Sequence, residues 1–194
     1  MTLHQQGSLL RPATPNDAAD LAWFINTAGA GMALEHWKAL AKPGEDPWEI
    51  GRLRMMVGSG HNSWRNWTLA IRNAEAAGGL VCYALEGEPQ AITPETPARF
   101  VPMIELENLA HGTWHVHVLA TCTRYRRAGV GSELLVHAAR TANGRRLSVI
   151  VDSRNAPAIG CYRKAGYAEA ARRPQRDQSG TGLDADWVLM MTPA

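Results

Sequence analysis

The alternation of apolar and polar residues changes period several times along the 194-residue chain, and each change marks an element. Leu9-Leu10-Arg11-Pro12, an apolar run stopped by proline, predicts a first strand. Pro15-Asn16-Asp17 then supplies helix-start chemistry, and Ala18, Leu21, Ala22 and Ile25 recur at helical spacing. Gly29-Ala30-Gly31 breaks that helix, helical fragments follow at Leu34 to Leu40 and Trp48 to Val57, and Gly58-Ser59-Gly60 ends them. Two strand-like runs, Trp67 to Arg72 and Gly79 to Leu85, joined by residues 73–78, read as an antiparallel hairpin. Residues 86–103 hold four prolines among charged residues and read as a loop, long enough to suggest a role at a binding site.

Strands and helices alternate in the second half. Trp114 to Ala120 is the best central-strand candidate, and Gly131 to Ala142 is a helix with Leu134, Leu135, Ala138, Ala139 and Ala142 on one side, capped by Asn143-Gly144. Arg146 to Val151 reads as a strand, Asn155 to Ala165 as a helix ended by Gly166, and Tyr167 to Ala171 and Trp187 to Met191 as closing strands. A hairpin followed by this alternation predicts an α/β fold around a mixed sheet, in one domain spanning residues 1–194.

Composition narrows the class without naming a partner. An apolar fraction of 45% with seven tryptophans is globular, and a net charge of +2 gives no reason to expect nucleic acid. Arginine supplies 17 of the 20 cations, a bias that suits phosphate or carboxylate but that a GC-rich genome explains as readily. Cys82, Cys122 and Cys161 form no C-x-x-C pair and read as free thiols in a reducing compartment. Met1 to Leu10 lacks a leader pattern and no stretch approaches 18 apolar residues, so a cytoplasmic protein without a membrane segment is expected.

Two short segments carry chemistry. Arg126-Arg127-Ala128-Gly129-Val130-Gly131 opens a helix, where glycines let the backbone approach an anion and the first N–H groups lack internal acceptors. A dinucleotide fingerprint fails because its third glycine is Leu134 and eight residues separate Ala120 from Gly129; Asp152 is the one feature in its favour. A nucleoside-triphosphate loop is excluded by the absence of Gly-Lys-Ser or Gly-Lys-Thr. In the second segment Asn155 is an N-cap, Pro157 falls in the first turn, and Tyr162 lies two helical turns on, facing the same way as Asn155.

Arg126-x-x-Gly129-x-Gly131, followed 24 residues later by Asn155-x-x-Ala158-x-x-x-Tyr162-x-x-x-Gly166-Tyr167, resembles the GCN5-related N-acetyltransferase (GNAT) superfamily. The match is close from about residue 113 to 171 and looser over Leu10 to Thr14 and the hairpin. It implies a mixed, mostly antiparallel sheet flanked by helices and acetyl-coenzyme A as donor. The backbone of Arg126, Arg127, Ala128, Gly129, Val130, Gly131 and Ser132 would hold the pyrophosphate, and the main chain of Val118, Leu119 and Ala120 would pair with the pantetheine arm. Asn155 would also contact the donor and Tyr162 would protonate the departing thiolate. The chain departs from the family at Thr123, where proline is common, and at Arg127-Ala128, which replace the frequent glycine and basic residue.

An amine nucleophile must lose a proton, and the candidate bases are Glu105 and Glu107 before the central strand and His115 and His117 on it, with Glu105 and His117 put forward. The His115-x-His117 pair also suggests a metal, but no third ligand of recognisable spacing accompanies it and no metal is expected. Cys161 reads as structural, the tryptophans as core more than as an aromatic pocket, and Arg124, Arg126, Arg127, Arg145 and Arg146 as a basic face able to attract the donor's 3′-phosphate. The resulting expectation is direct transfer of acetyl to a primary amine of a small molecule, with a homodimer as the one oligomer considered. Its rivals are a non-catalytic acyl-coenzyme A-binding module and a peptide or protein N-terminal acetyltransferase.

Overall fold

The computed structural model describes residues 7–193, so the leader pattern sought over Met1 to Leu10 falls mostly outside the described residues. Among the described residues seven strands, mostly antiparallel, accompany six α-helices: β1 (Leu9–Pro12), α1 (Ala18–Ala28), α2 (Met32–Leu40), α3 (Pro47–Met55), β2 (Trp67–Arg72), β3 (Glu75–Ala84), α4 (Val101–Leu109), β4 (Trp114–Thr121), α5 (Val130–Thr141), β5 (Leu147–Asp152), α6 (Ala156–Lys164), β6 (Ala168–Arg176) and β7 (Gly182–Met191). The α/β fold with a mixed sheet is as the pattern predicts. The chain forms two compact units, each assembled from separate stretches: residues up to 82 with 118–137, and residues 83–117 with 138–194. Strands β3 and β4 each run from one unit into the other.

In the first unit β1, β2 and β3 are antiparallel neighbours, with Leu10 opposite Ala70 and Leu69 opposite Gly79. The β2–β3 turn is only Asn73-Ala74, both with positive φ (50° and 62°), so β3 begins four residues earlier than the Gly79 start the sequence predicts. Two left-handed residues match the twist of the flanking strands, and asparagine tolerates that conformation. A register shift beside Ala70 leaves Ala77 as an extra residue on β3, and the Ala77 carbonyl accepts the Cys122 N–H at 2.9 Å. Leu21, Phe24, Trp67, Leu69 and Val81 are buried, and Trp37 meets Trp48 edge to face at 5.6 Å, so these indoles serve packing. Gly51 sits mid-helix because a Cβ there would lie 2.5 Å from the Trp37 ring.

In the second unit β4 pairs in parallel with β5 (Trp114 opposite Leu147), and β5, β7 and β6 follow antiparallel, with Val151 opposite Val188 and Arg172 opposite the same residue. Helix α4 packs on β6 and β7 through a core of Leu106, Ala110, Leu189 and Met191. This helix overturns the reading of 86–103 as wholly loop and of Glu105 and Glu107 as residues merely preceding a strand. Pro102 lies in its first turn, where the missing N–H has no acceptor to forfeit, so a residue that looks like a breaker begins a helix. Residues 86–100 do lack regular structure, and Asn108 on α4 pins them by accepting the Gln90 N–H and donating to the Gln90 carbonyl, both at 2.9 Å. Strands β6 and β7 outrun their predicted bounds, each continuing toward the turn at 177–181.

Candidate active site

The first unit carries the loop and helix start that the sequence reads as an anion cradle. Between β4 and α5 the chain makes a 3₁₀ turn at Thr123–Tyr125, then passes Arg127 (φ 63°) and Gly129 (φ 88°), both left-handed, into the helix. The Glu133 N–H is bonded to the Gly129 carbonyl at 3.0 Å, so the N–H groups of Gly129, Val130, Gly131 and Ser132 precede the first intrahelical bond. Val130 is buried and anchors the turn, whereas Arg126, Arg127, Gly129 and Ser132 are exposed. Close approach at Gly78 holds the helix down: a Cβ there would lie 2.8 Å from Val130 Cγ1 and 2.9 Å from the Ala120 carbonyl oxygen. Glu133 in the same turn takes Arg72 at 2.7 Å and the Ser8 N–H at 3.0 Å, which removes its charge from the cradle's mouth. Arg124 is paired with Glu75, while no salt bridge among the described residues involves Arg126 or Arg127.

The second unit carries the titratable groups. On β4, His115 is buried and His117 half-buried, and one ligand atom from each lies within 4.8 Å of the other and of a Glu107 carboxylate oxygen from α4. Burial pushes the Glu107 carboxyl above its usual range. The hydrogen bonds around His115 fix its tautomer. The Thr113 hydroxyl donates to the Ala110 carbonyl at 2.6 Å, so at 2.7 Å it accepts from the Ser148 hydroxyl, which leaves Ser148 Oγ to accept at 2.8 Å from His115 Nδ1–H. In its neutral form His115 therefore bears its lone pair on Nε2. His117 Nδ1 lies 3.1 Å from the Tyr83 hydroxyl, and the Tyr83 ring packs against both imidazoles at 5.9 and 5.4 Å.

Glu105 does not join this group. It is half-exposed and bonded to Arg173 at 2.5 Å. Asn155 is exposed, and its Oδ1 accepts the Ala158 N–H at 3.2 Å as the cap of α6. Tyr162 is 5% exposed, with its ring 5.6 Å from that of Tyr167. Asp152, the one residue in favour of a dinucleotide site, is held by Arg154 at 2.6 and 3.0 Å, which brings its pKa down to about 2.

The family model of the Acetyltransferase (GNAT) family matches residues 33–167. The chain belongs to the GNAT acetyltransferase family. It is accordingly an acyltransferase of the N-acetyltransferase kind. No curated protein matches its sequence. Among solved structures it is similar to an N-acetyltransferase from Staphylococcus aureus Mu50, at 13% identity and a TM-score of 0.63, over 95% of this chain and all (100%) of the other. It is also similar to the histone acetyltransferase HPA2 and related acetyltransferase from Corynebacterium glutamicum (18%, TM-score 0.61, 97% and 98% covered). A third is the ribosomal-protein-alanine N-acetyltransferase from Brucella melitensis (18%, TM-score 0.54, 96% and 99% covered). These likenesses establish the GNAT fold.

GNAT enzymes generally take acetyl from acetyl-coenzyme A, and the cradle fits that donor's pyrophosphate. Its leading N–H groups stand at an exposed helix start, a Cβ on Gly129 would meet nothing within 4 Å, and two arginines that join no salt bridge among the described residues flank it. Val118 and Ala120 of the central strand are buried and Leu119 is half-buried. Tyr83, Thr113 and Ser148 are the contributors that sequence reasoning missed. Only the fold brings their hydroxyls to the histidines, and no spacing signals it. Cys82 is an inert thiol, its pKa pushed up to about 12 by burial. Among the described residues no helix is long and apolar enough to cross a membrane.

Proposed function

We propose that this GNAT enzyme transfers acetyl from acetyl-coenzyme A directly to the primary amine of a small molecule, in a ternary complex and in the cytoplasm. The observation that carries the donor half is the loop and helix start at residues 126–132, with its leading N–H groups and two arginines outside any ion pair among the described residues. In this reading Arg126, Arg127, Ala128, Gly129, Val130, Gly131 and Ser132 bind the pyrophosphate, and the main chain of Val118, Leu119 and Ala120 pairs with the pantetheine arm. The donor supplies a thioester carbonyl already activated toward amines.

The chain's own residues then move two protons. His117 takes the amine proton on Nε2, with Nδ1–H donating to the Tyr83 hydroxyl, an arrangement supported by the 3.1 Å contact. Tyr162 donates its hydroxyl proton to the leaving thiolate, and Asn155 holds the start of α6 that carries it. Glu105 is set aside as base because Arg173 engages it. An amine panel, including small diamines, amino acids and peptides, assayed by release of free coenzyme A thiol tests the whole proposal. Turnover with small amines and none with peptides is the expected outcome. Absence of acetyl-coenzyme A binding by calorimetry overturns the donor assignment, and binding without transfer to any amine favours an acyl-coenzyme A-binding module.

A further inference from the structure

We infer that Glu107, His115 and His117 form a binding site for a divalent transition-metal ion of the zinc class, and that occupancy of this site shuts off transfer. The inhibitory half rests on the assignment of His117 as base; the site itself does not.

Three features of the second unit point to it. First, the donor set is two imidazole nitrogens and one carboxylate, which zinc takes with a fourth position left for water. The chain shows only His115-x-His117; the third donor comes from α4, and the three ligand atoms already lie within 4.8 Å of one another. Adjacent ligand atoms around a tetrahedral zinc stand about 3.4 Å apart. The Glu107 side chain, half-buried and with three rotatable bonds, can shorten its own distances to the two imidazoles. Second, each imidazole is held through one of its nitrogens by the protein. In the neutral ring the hydrogen-bond chain Ala110–Thr113–Ser148–His115 places the proton on His115 Nδ1 and the lone pair on Nε2. His117 reaches the same state when its Nδ1–H donates to Tyr83. A metal-bound imidazole almost always has its other nitrogen held in this way, because that bond fixes the ring and raises its basicity. Third, Arg173 engages Glu105 two positions away, and the half-buried Glu107 carboxyl has no ion pair among the salt bridges of the described residues, which leaves it able to take a cation.

Coordination uses the Nε2 lone pair of His117, the same pair that would accept the amine proton. A bound ion and a protonated amine therefore compete for one atom, and metal acts as a reversible brake that chelation releases.

The test is calorimetric titration of Zn²⁺ into the full chain, with Co²⁺ absorption as a report of coordination and acetyl transfer measured in parallel. One ion per chain, the visible bands of four-coordinate cobalt, and affinity weakened at least about tenfold in both Glu107→Gln and His117→Ala are expected, with Tyr83→Phe weakening it by about 10-fold through the outer shell. Glu107→Gln is nearly isosteric and keeps the test valid if the histidine variant folds poorly. No binding, or binding unchanged in both ligand variants, overturns the site. Binding without inhibition of transfer supports the site and overturns His117 as base, whereas inhibition that ethylenediaminetetraacetate reverses supports both.

Discussion

The Tyr83 hydroxyl and His117 Nδ1 lie 3.1 Å apart, joining the last residues of β3 to the first half of β4. If His117 is the base, this bond orients its ring and stabilises the imidazolium that forms as the amine loses its proton. Tyr83→Phe keeps the ring packing and removes only that bond. It is expected to lower kcat several-fold while leaving the KM for acetyl-coenzyme A unchanged, and His117→Ala to lower kcat about 100-fold, within the range of general-base contributions. A KM effect without a kcat effect would reassign Tyr83 to packing alone.

Tyr162 separates the enzyme reading from the binding-module reading. A thiolate whose conjugate acid has a pKa near ~8.5 leaves readily with an acid beside it and less so without. Tyr162→Phe retains the ring packed on Tyr167 and removes the hydroxyl. The expected result is a kcat loss of about 10- to 100-fold with acetyl-coenzyme A affinity unchanged by calorimetry. Unchanged turnover would mean that the proton comes from elsewhere.

How far the sequence foretold this site is seen best at Glu105 and Glu107. In linear order they are equivalent acids before the central strand, and nothing in their spacing ranks them. Placed on α4 they point about 160° apart, so one reaches Arg173 and the other the histidines. The helix itself was hidden because Pro102 reads as a breaker and its apolar stripe is short. The glycine-bearing start of α5 was legible for the opposite reason. A helix start with glycines at fixed offsets is a local feature, and Asn155 capping α6 is another. Hydroxyls from Tyr83, Thr113 and Ser148 converge through pairing of distant strands, and that information lies in no single window.

Arg127 is the cradle's local conflict. It adopts φ 63° where the family commonly places glycine, and a side chain in that conformation costs about 1 kcal/mol. Arg127→Gly relieves the strain and is expected to leave thermal stability unchanged or raised, while reducing acetyl-coenzyme A affinity by the loss of one cation. Arg127→Val, β-branched at the same φ, is expected to lower stability by about 1–2 kcal/mol. Equal melting temperatures for the two variants would show that the loop re-forms around whichever residue it carries.

Gly78 tests the support beneath the cradle. Its missing side chain admits Val130 Cγ1, Ala120 O and Leu134 Cδ1, which a Cβ would meet at 2.8, 2.9 and 3.2 Å. Two of the three contacts fall below what any real Cβ shows, and one is backbone, so α5 or β4 must shift. Gly78→Ala is expected to destabilise the protein by about 1–3 kcal/mol, in the range of overpacked cores, and to weaken acetyl-coenzyme A binding because the N–H groups of Gly129–Ser132 move with the helix. Denaturant unfolding and calorimetry on the same variant check both. Lost stability with intact binding would show that α5 yields farther along its length.

Acid stability follows from Asp17. Its carboxylate accepts from both terminal nitrogens of Arg11, at 2.9 and 2.7 Å, and from Thr14, which brings its pKa down from 3.8 to about 2. A carboxyl depressed on folding stabilises the native state at pH values above its unfolded pKa, and that contribution is lost as pH falls through the folded one. Denaturant unfolding of the parent and of Asp17→Asn should thus differ by a constant amount from neutrality to about pH 5 and converge between about pH 4 and pH 2. Asp152, held at about 2 by Arg154, titrates in the same window and is present in both proteins, so it cancels in the difference. A gap that persists unchanged to pH 2 would assign the role of Asp17 to capping the Thr14 backbone, with the Arg11 ion pair contributing nothing to stability.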